Sequence, residues 1–418
     1  MEEQLFIKKS ECRLCGSSDL SLAVALGLSP VSEKYTKQKS QDSCSPQVPL
    51  DLYFCNQCTH VQLIDVVNPD FLWADFTFKT ANNSALVTHF REYATEAIRF
   101  SNATRSDLIV DIGSNDGTLL KAFKARQFEN VLGVDPAKEI AEVANAEGVP
   151  TIIGYLNDAT AQTILDEYGK AKILTANNVF AHVDDLSGML SSITQLMRED
   201  GVFIFEVSYL LDVVQKNLIG TIFHEHLCYH SVRALKPFLE RHELQLLRVE
   251  RGEEQGGSVI CYAQFKGRNR KEEKSVSEML KLEEEANLGE LSTLQAMDVR
   301  LRLVKDEVRD LLRRLLREGR SISGFGAARA GTTLLSYFEI GKMVDYLVDD
   351  NERKHYCYSP GDQLQVLPTK EIYSKRPDYL LILAWLHADK IIEKHARYLE
   401  NGGAFVRIFP KVEVVRSP

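Results

Sequence analysis

The stretch Leu108-Ile-Val-Asp111-Ile-Gly113-Ser-Asn115-Asp116-Gly117-Thr118-Leu-Leu120 decides the fold. It reads as a buried strand that breaks into a turn and then opens a helix. Gly113, Asn115 and Gly117 suit a turn needing positive φ or close backbone approach. Their spacing is not the dinucleotide G-x-G-x-x-G, so a ligand without a pyrophosphate is expected. The next strand, Val131-Leu-Gly-Val-Asp135, ends in an acid 18 residues past Gly117, placed to accept both hydroxyls of a ribose. Further apolar runs at 149–153, 172–176 and 202–207 alternate with helical segments. Such alternation predicts βαβ units on a parallel sheet, an α/β fold. Asn177, Asn178 and His182 follow one of these strands and so sit at the carboxyl edge, where open sheets of this kind bind ligands.

Working outward, 418 residues that are 44% hydrophobic exceed one core and predict two or three domains. Residues 1–80 are rich in Cys, Ser and Pro with short strands; 81–235 carry the first glycine turn; 236–418 hold a charged helical stretch at 272–318 and a second α/β unit. In that helical stretch Leu301, Val304, Val308, Leu311, Leu315 and Leu316 form one apolar stripe. Acidic residues outnumber basic ones 59 to 50, a net charge of −9, which disfavours nucleic acid and anionic membranes as partners. No apolar run is long enough to span a bilayer, and the start Met-Glu-Glu-Gln lacks the basic and apolar regions of a leader. A soluble cytoplasmic protein is the expectation.

Of eight cysteines, four lie in two pairs, Cys12-Arg-Leu-Cys15 and Cys55-Asn-Gln-Cys58, separated by 39 residues. Each pair can present two thiolates to one face of a tetrahedral Zn²⁺, and four such ligands leave no open position, so the site is structural. The competing readings are four unrelated buried thiols or a redox pair, but a short reduced module otherwise lacks a core. Cys44, Cys228, Cys261 and Cys357 stand alone and read as small apolar residues.

The segment Thr221-Ile-Phe223-His224-Glu225-His226-Leu-Cys228-Tyr229-His230-Ser231 packs three of the ten histidines into seven residues. It nearly spells H-E-x-x-H, but Cys228 occupies the place of the second histidine and the surroundings are not helical, which argues against a catalytic metal. On an extended segment His224 and His226 would share one face and Glu225 the other. A histidine suits proton abstraction near neutral pH, with a carboxylate to orient it; a hydrogen-bonded structural turn is the plainer reading.

With these residues on the page, the chain resembles the S-adenosylmethionine-dependent sugar C-methyltransferases, which act on nucleotide-linked 4-keto-6-deoxysugars. The resemblance runs through the two cysteine pairs, the Gly113–Gly117 turn, Asn178-Val-Phe-Ala-His182, Glu206-Val-Ser-Tyr209, the 221–231 segment, Gln255-Gly-Gly-Ser258, and Gly324-Phe-Gly326-Ala with Thr333-Leu-Leu. It implies a Rossmann-like S-adenosylmethionine domain flanked by a zinc-binding module and a C-terminal Rossmann-like domain, with the nucleotide sugar between the flanking modules. His226 then matches the base, with Glu225, His182 and His224 beside it. Asp111, Gly113, Asn115, Gly117, Asp135, Asn177 and Asn178 would hold the cofactor, and Phe78, Tyr209, Phe223, Ser258 and Arg329 the substrate. A monomer is implied.

Several positions depart from the family pattern. Phe223 and the loop Phe76-Thr-Phe78 stand where tyrosines are usual, Arg329-Ala-Gly-Thr332 replaces Ala-Lys-Gly-Asn, and Trp385-Leu386 replaces Trp-Asn. These changes bear on the substrate more than on the cofactor. Gly324-Phe-Gly326-Ala-Ala-Arg329-Ala-Gly331, with Asp349 and Asp350 ending the next strand, is by itself a fair dinucleotide half-site. An NAD-dependent or epimerase-like enzyme using the same base is therefore the alternative, and a non-enzymatic zinc-ribbon interaction or RNA-binding module with a vestigial cofactor fold a third, of which the net charge disfavours the RNA version.

Overall fold

The structure is a computed structural model, and it describes residues 5–39, 46–73 and 78–417. Cys44 and Phe76 lie outside the described residues. In the amino-terminal module β1 (Leu20–Val24), β2 (Leu52–Cys55) and β3 (Val61–Leu63) form an antiparallel sheet. Two smaller strand pairs accompany it, 6–8 with 65–67 and 28–30 with 47–49.

Helix α1 (Ser84–Ser101) leads into the central domain and buries Phe90, Tyr93, Ala94 and Ala97, which recur at helical spacing on one face. The sheet beneath contains β4 (Ile109–Ile112), β5 (Val131–Asp135), β6 (Thr151–Ile153), β7 (Ala171–Asn177) and β8 (Met197–Ser208), with the first glycine turn opening α2 (Thr118–Lys124). Strand order is β6-β5-β4-β7-β8, all parallel, so the order reverses between β4 and β7. That reversal opens the crevice where ligands bind in such sheets.

Between β8 and the rest of the sheet's far edge, one strand leaves for the amino-terminal module. Strand β9 (Cys228–Tyr229) pairs antiparallel with β3, bringing Cys228 opposite Gln62 and Tyr229 opposite Val61. The central sheet then continues with β10 (Leu244–Gly252) and β11 (Ser258–Phe265), an antiparallel pair docked as β8-β11-β10. It thus runs on past residue 235, where the sequence places a domain division. An antiparallel hairpin appended to a parallel sheet leaves no break in hydrophobic pattern to mark it.

Helices α3 (Lys274–Glu285) and α4 (Leu291–Arg317) cover the 272–318 stretch. Within α4, Leu301, Val308, Leu312 and Leu315 are buried, whereas Leu316 is exposed. Four-then-three spacing from Val308 through Leu312 to Leu315 keeps one face inward, and Leu316 falls a hundred or so degrees away. The C-terminal domain then builds a second parallel sheet from β12 (Ile322–Phe325), β13 (Leu347–Asp349), β14 (Val366–Pro368), β15 (Tyr379–Ile382) and β16 (Ala404–Arg407), ordered β14-β13-β12-β15-β16. An antiparallel edge strand, β17 (Glu413–Val415), completes it, and α5 (Arg329–Phe338) follows β12.

All three parts touch. Ser336 of α5 donates to the Leu28 carbonyl at 3.1 Å, the Ala25 amide donates to Asp298 of α4 at 3.1 Å, and Thr333 of α5 donates to the Ile222 carbonyl at 2.8 Å. Among the described residues no helix is long and apolar enough to cross a membrane.

Candidate active site and zinc centre

The two cysteine pairs close in the same way. The Gly16 amide donates to the Cys12 carbonyl and the Thr59 amide to the Cys55 carbonyl, both at 2.8 Å, and the residue after each second cysteine has positive φ, 75° at Gly16 and 65° at Thr59. These turns aim all four sulfurs inward: the ligand atoms lie within 4.8 Å of one another, with Cys12–Cys58 and Cys15–Cys55 at 3.5 Å. Zn–S bonds of about 2.3 Å in a tetrahedron imply sulfur–sulfur edges of about 3.8 Å, so the four thiolates fit one Zn²⁺.

The zinc module also grips the residues around the crevice. Arg13, between the first two cysteines, is buried and reaches out of the knuckle: Nε donates to Asp184 at 2.9 Å and Nη1 to the Leu63 carbonyl at 2.5 Å. Asp184 lies two residues past His182. On the other side the Leu63 amide donates to the Leu227 carbonyl at 2.9 Å, next to His226. The module therefore holds both histidine-bearing segments, one through Arg13 and one through β9.

Those segments converge. The His182 and His226 rings lie 4.9 Å apart edge to face, Phe223 packs 3.9 Å from His226, and Trp73 packs 5.4 Å from His182. The His226 Nδ1 lies 2.8 Å from the Thr221 carbonyl. A carbonyl only accepts, so this bond assigns the proton to Nδ1 and leaves the Nε2 lone pair available. Burial, then the neighbouring His182 and Arg329, push the His226 pKa well below its ordinary value. His182 is pushed down to about 4, by burial first and then by Arg329, and its Nδ1 has no partner among the described residues. At neutral pH both rings are uncharged, one with a free Nε2 lone pair and the other able to donate a hydrogen bond.

Residues 223–226 form a turn, with the His226 amide donating to the Phe223 carbonyl at 2.9 Å, not the extended segment on which the sequence reading was based. The faces are consequently redistributed. His224 points away, its Nε2 3.1 Å from the Val48 carbonyl in the amino-terminal module. Glu225 accepts from Ser32 at 3.1 Å and from Arg329 Nε at 3.0 Å and, among the described residues, from no histidine. Arg329, at the start of α5, thus stands beside the cluster, its guanidinium 5.8 Å from the Phe223 ring centre. Burial opposes and Glu225 and Glu33 reinforce its charge, leaving its pKa raised.

Two of the expected substrate residues engage other partners. Tyr209 is fully buried with its ring under the Arg251 guanidinium at 5.6 Å, near Glu283. Ser258 is buried and donates to Glu206 at 2.6 Å. Phe78 is 44% exposed on the strand of chain that leads into α1, and its carbonyl accepts from Asn115 at 3.0 Å.

The cofactor turn has the form its sequence predicts. Gly113, Asn115 and Gly117 all have positive φ, of 72°, 51° and 74°, and a Cβ on Gly113 would collide with the Val179 side chain. Asp135 accepts the Asn115 amide at 2.8 Å and the Ala137 amide at 2.8 Å, fixing the strand-end carboxylate against the turn. Burial raises its pKa despite those two donors. Asp111 is buried under the turn, accepts from Thr175 at 2.6 Å, and is pushed up to about 7 by burial. Asn177, at the end of β7, has a buried amide with no partner among the described residues, and Asn178 adopts positive φ with its amide donated to the Glu206 carbonyl at 2.8 Å. A polar group left unsatisfied at a crevice is what a ligand completes.

Asp116, to which the sequence reading gave no role, clamps the approach to α1. It accepts the Ala81 amide at 2.9 Å while Asn115 accepts the Thr80 amide at 2.9 Å. Ser32 and Trp73 were also missed, because both come from the amino-terminal module and no local spacing links them to the histidines.

In the C-terminal domain Asp349 accepts the Ala327 amide at 2.6 Å and the Asn351 amide at 2.8 Å. The second glycine turn is therefore braced as Asp135 braces the first.

Comparison with known proteins agrees with this architecture. A family model described as a zinc binding domain matches residues 12–73, a methyltransferase domain matches 87–249, and a C-methyltransferase C-terminal domain matches 253–410. The C-methyltransferase NovU of Streptomyces niveus is 30% identical over 408 residues, 97% of either chain. Among solved structures, an S-adenosylmethionine-dependent methyltransferase from Clostridium acetobutylicum covers 47% of this chain and 96% of its own at 13% identity and TM-score 0.35. Magnesium protoporphyrin IX methyltransferase from Synechocystis covers 45% and 89% at 18% identity and TM-score 0.33. The fold and site define an S-adenosylmethionine-dependent methyltransferase with a zinc-binding module. The chain belongs to the C-methyltransferase family.

Proposed function

We propose that the chain methylates a ring carbon beside the ketone of a nucleotide-linked 4-keto-6-deoxysugar. His226 removes the proton from that carbon. The observation that carries this reading is the hydrogen bond from His226 Nδ1 to the Thr221 carbonyl, which leaves a neutral Nε2 in a buried cluster where three modules meet. His182 donates toward the ketone oxygen as it gains charge; a preorganised donor of this kind contributes on the order of 10²-fold or more in rate. S-Adenosylmethionine, when bound, supplies the electrophilic methyl. The electron pair left by the departed proton forms the new carbon–carbon bond to the methyl as the sulfur–methyl bond breaks and its pair leaves with S-adenosylhomocysteine; the proton resides on His226 until solvent removes it.

Glu225 holds Arg329 rather than a histidine, which supports a substrate role for Arg329 at the junction of the three modules, toward the anionic diphosphate. Phe223, packed against His226, contributes an apolar wall. His226→Asn tests the reading. Turnover should fall by at least about 10²-fold with S-adenosylhomocysteine affinity unchanged; a variant that still methylates the sugar would remove His226 from the mechanism.

A further inference from the structure

One buried cluster on the cofactor side takes no part in the chemistry above. Glu206, at the carboxyl end of β8, is fully buried and binds two partners from two other elements: Ser258 of β11 donates to Oε1 at 2.6 Å, and His89 of α1 lies 2.6 Å from Oε2. The carboxylate sits in the middle, and the serine does not touch the histidine, so this is no nucleophile triad. Glu206 pairs in register with Asn177 across β7 and β8, and its carbonyl receives the Asn178 amide.

Helix α1 is thereby fixed at two places. Ahead of its first turn, the chain at 78–81 is held by Asn115 and Asp116 of the cofactor turn. Within it, His89 is held by Glu206 on the other side of the crevice. Beside Glu206, in register on β7, Asn177 carries a buried side-chain amide with no hydrogen-bond partner among the described residues. We propose that His89, Glu206 and Ser258 form a latch that keeps α1 closed over the cofactor crevice, making His89 a positioning residue for S-adenosylmethionine.

The pairing favours the protonated form of His89. Burial lowers the His89 pKa, but Glu206 opposes this with help from Glu254 and from Glu92 on the same helix, and the net shift is upward. A neutral ring keeps an N–H for the carboxylate, so the donor matters beyond the charge.

The test is calorimetric titration of the full, zinc-loaded chain with S-adenosylhomocysteine, which reads the crevice without requiring any sugar. His89→Leu is expected to weaken binding about tenfold or more, the scale of one lost charge-assisted hydrogen bond. His89→Gln, which keeps a donor, is expected to recover most of that affinity, whereas simple loss of packing would leave Gln no better than Leu. Ser258→Ala, which frees one oxygen of Glu206, should weaken binding by about threefold and serves if His89→Leu fails to fold. Wild-type affinity in both His89→Leu and Ser258→Ala, or equal losses in the Leu and Gln variants, would overturn the latch. Because the readout is cofactor binding, failure here is distinguishable from failure of the sugar-methylation reading.

Discussion

At the residue scale, Asp111 shows a group whose environment opposes its charge. Buried beneath the glycine turn, it titrates at about 7 in the folded chain, against an ordinary value near 4. Between those two values the folded state holds a proton that the unfolded state has lost, so folding stability declines as pH rises through this window and levels off above it. Asp111→Asn removes the cost. The variant should gain on the wild type by about 2 to 3 kcal/mol between pH 5 and pH 8. Denaturant unfolding at both pH values measures this, and an unchanged gap would show that Asp111 ionises freely. The same variant should bind S-adenosylhomocysteine more weakly if Asp111 serves the cofactor. Arg13 makes a second residue-level test. Its guanidinium fixes Asp184 near His182, so Arg13→Ala should lower kcat by about tenfold to a hundredfold while zinc content and cofactor affinity hold, since small misplacements of catalytic groups carry penalties of that size. Unaltered kcat would mean that His182 needs no support from the knuckle.

At the element scale, the glycine turns are the sharpest constraint. Gly113 combines positive φ with the Val179 side chain where a Cβ would go. Gly113→Ala should therefore destabilise the fold by about 2 kcal/mol or more and weaken S-adenosylhomocysteine binding, as thermal unfolding and calorimetry would show. A neutral outcome would mean that the turn relaxes without loss. The central strands and their turn were legible in the sequence because each is a short apolar run stopped by turn residues, and period-two or continuous patterns survive without tertiary information. The cysteine pairs were legible because knuckle chemistry is local. The histidine segment was legible in composition but not in conformation: a four-residue turn and an extended strand share the same letters, and only the bond from the His226 amide to the Phe223 carbonyl distinguishes them. Tyr209 and Ser258 stand in the quoted motifs, but their side chains meet Arg251 and Glu206, contacts set by sheet register that the local sequence does not show. The latch at His89 was not legible at all, because its three members come from positions 89, 206 and 258 and meet only through sheet order.

At the scale of the whole molecule, zinc, cofactor crevice and C-terminal domain act on one another through a few buried contacts. The zinc module is remote in sequence from His182 and His226 yet holds both, through Arg13 and through β9. Stripping the metal with a chelator is expected to lose turnover together with the fold of residues 12–73, seen by circular dichroism and restored by one equivalent of zinc. Retention of full activity without metal would separate the module from the site. The net charge of −9 fits an enzyme whose cations are placed locally, with Arg329 held by Glu225 at the junction of the modules. The measurement that bears most directly on the account is incubation of the purified chain with S-adenosylmethionine and a set of nucleotide-linked 4-keto-6-deoxysugars, the product read by mass spectrometry and carbon NMR. The account predicts one new methyl on the ring carbon beside the ketone, formed by the wild type and not by His226→Asn. A methyl found on oxygen, or a His226→Asn variant that forms the same product at the same rate, would contradict it.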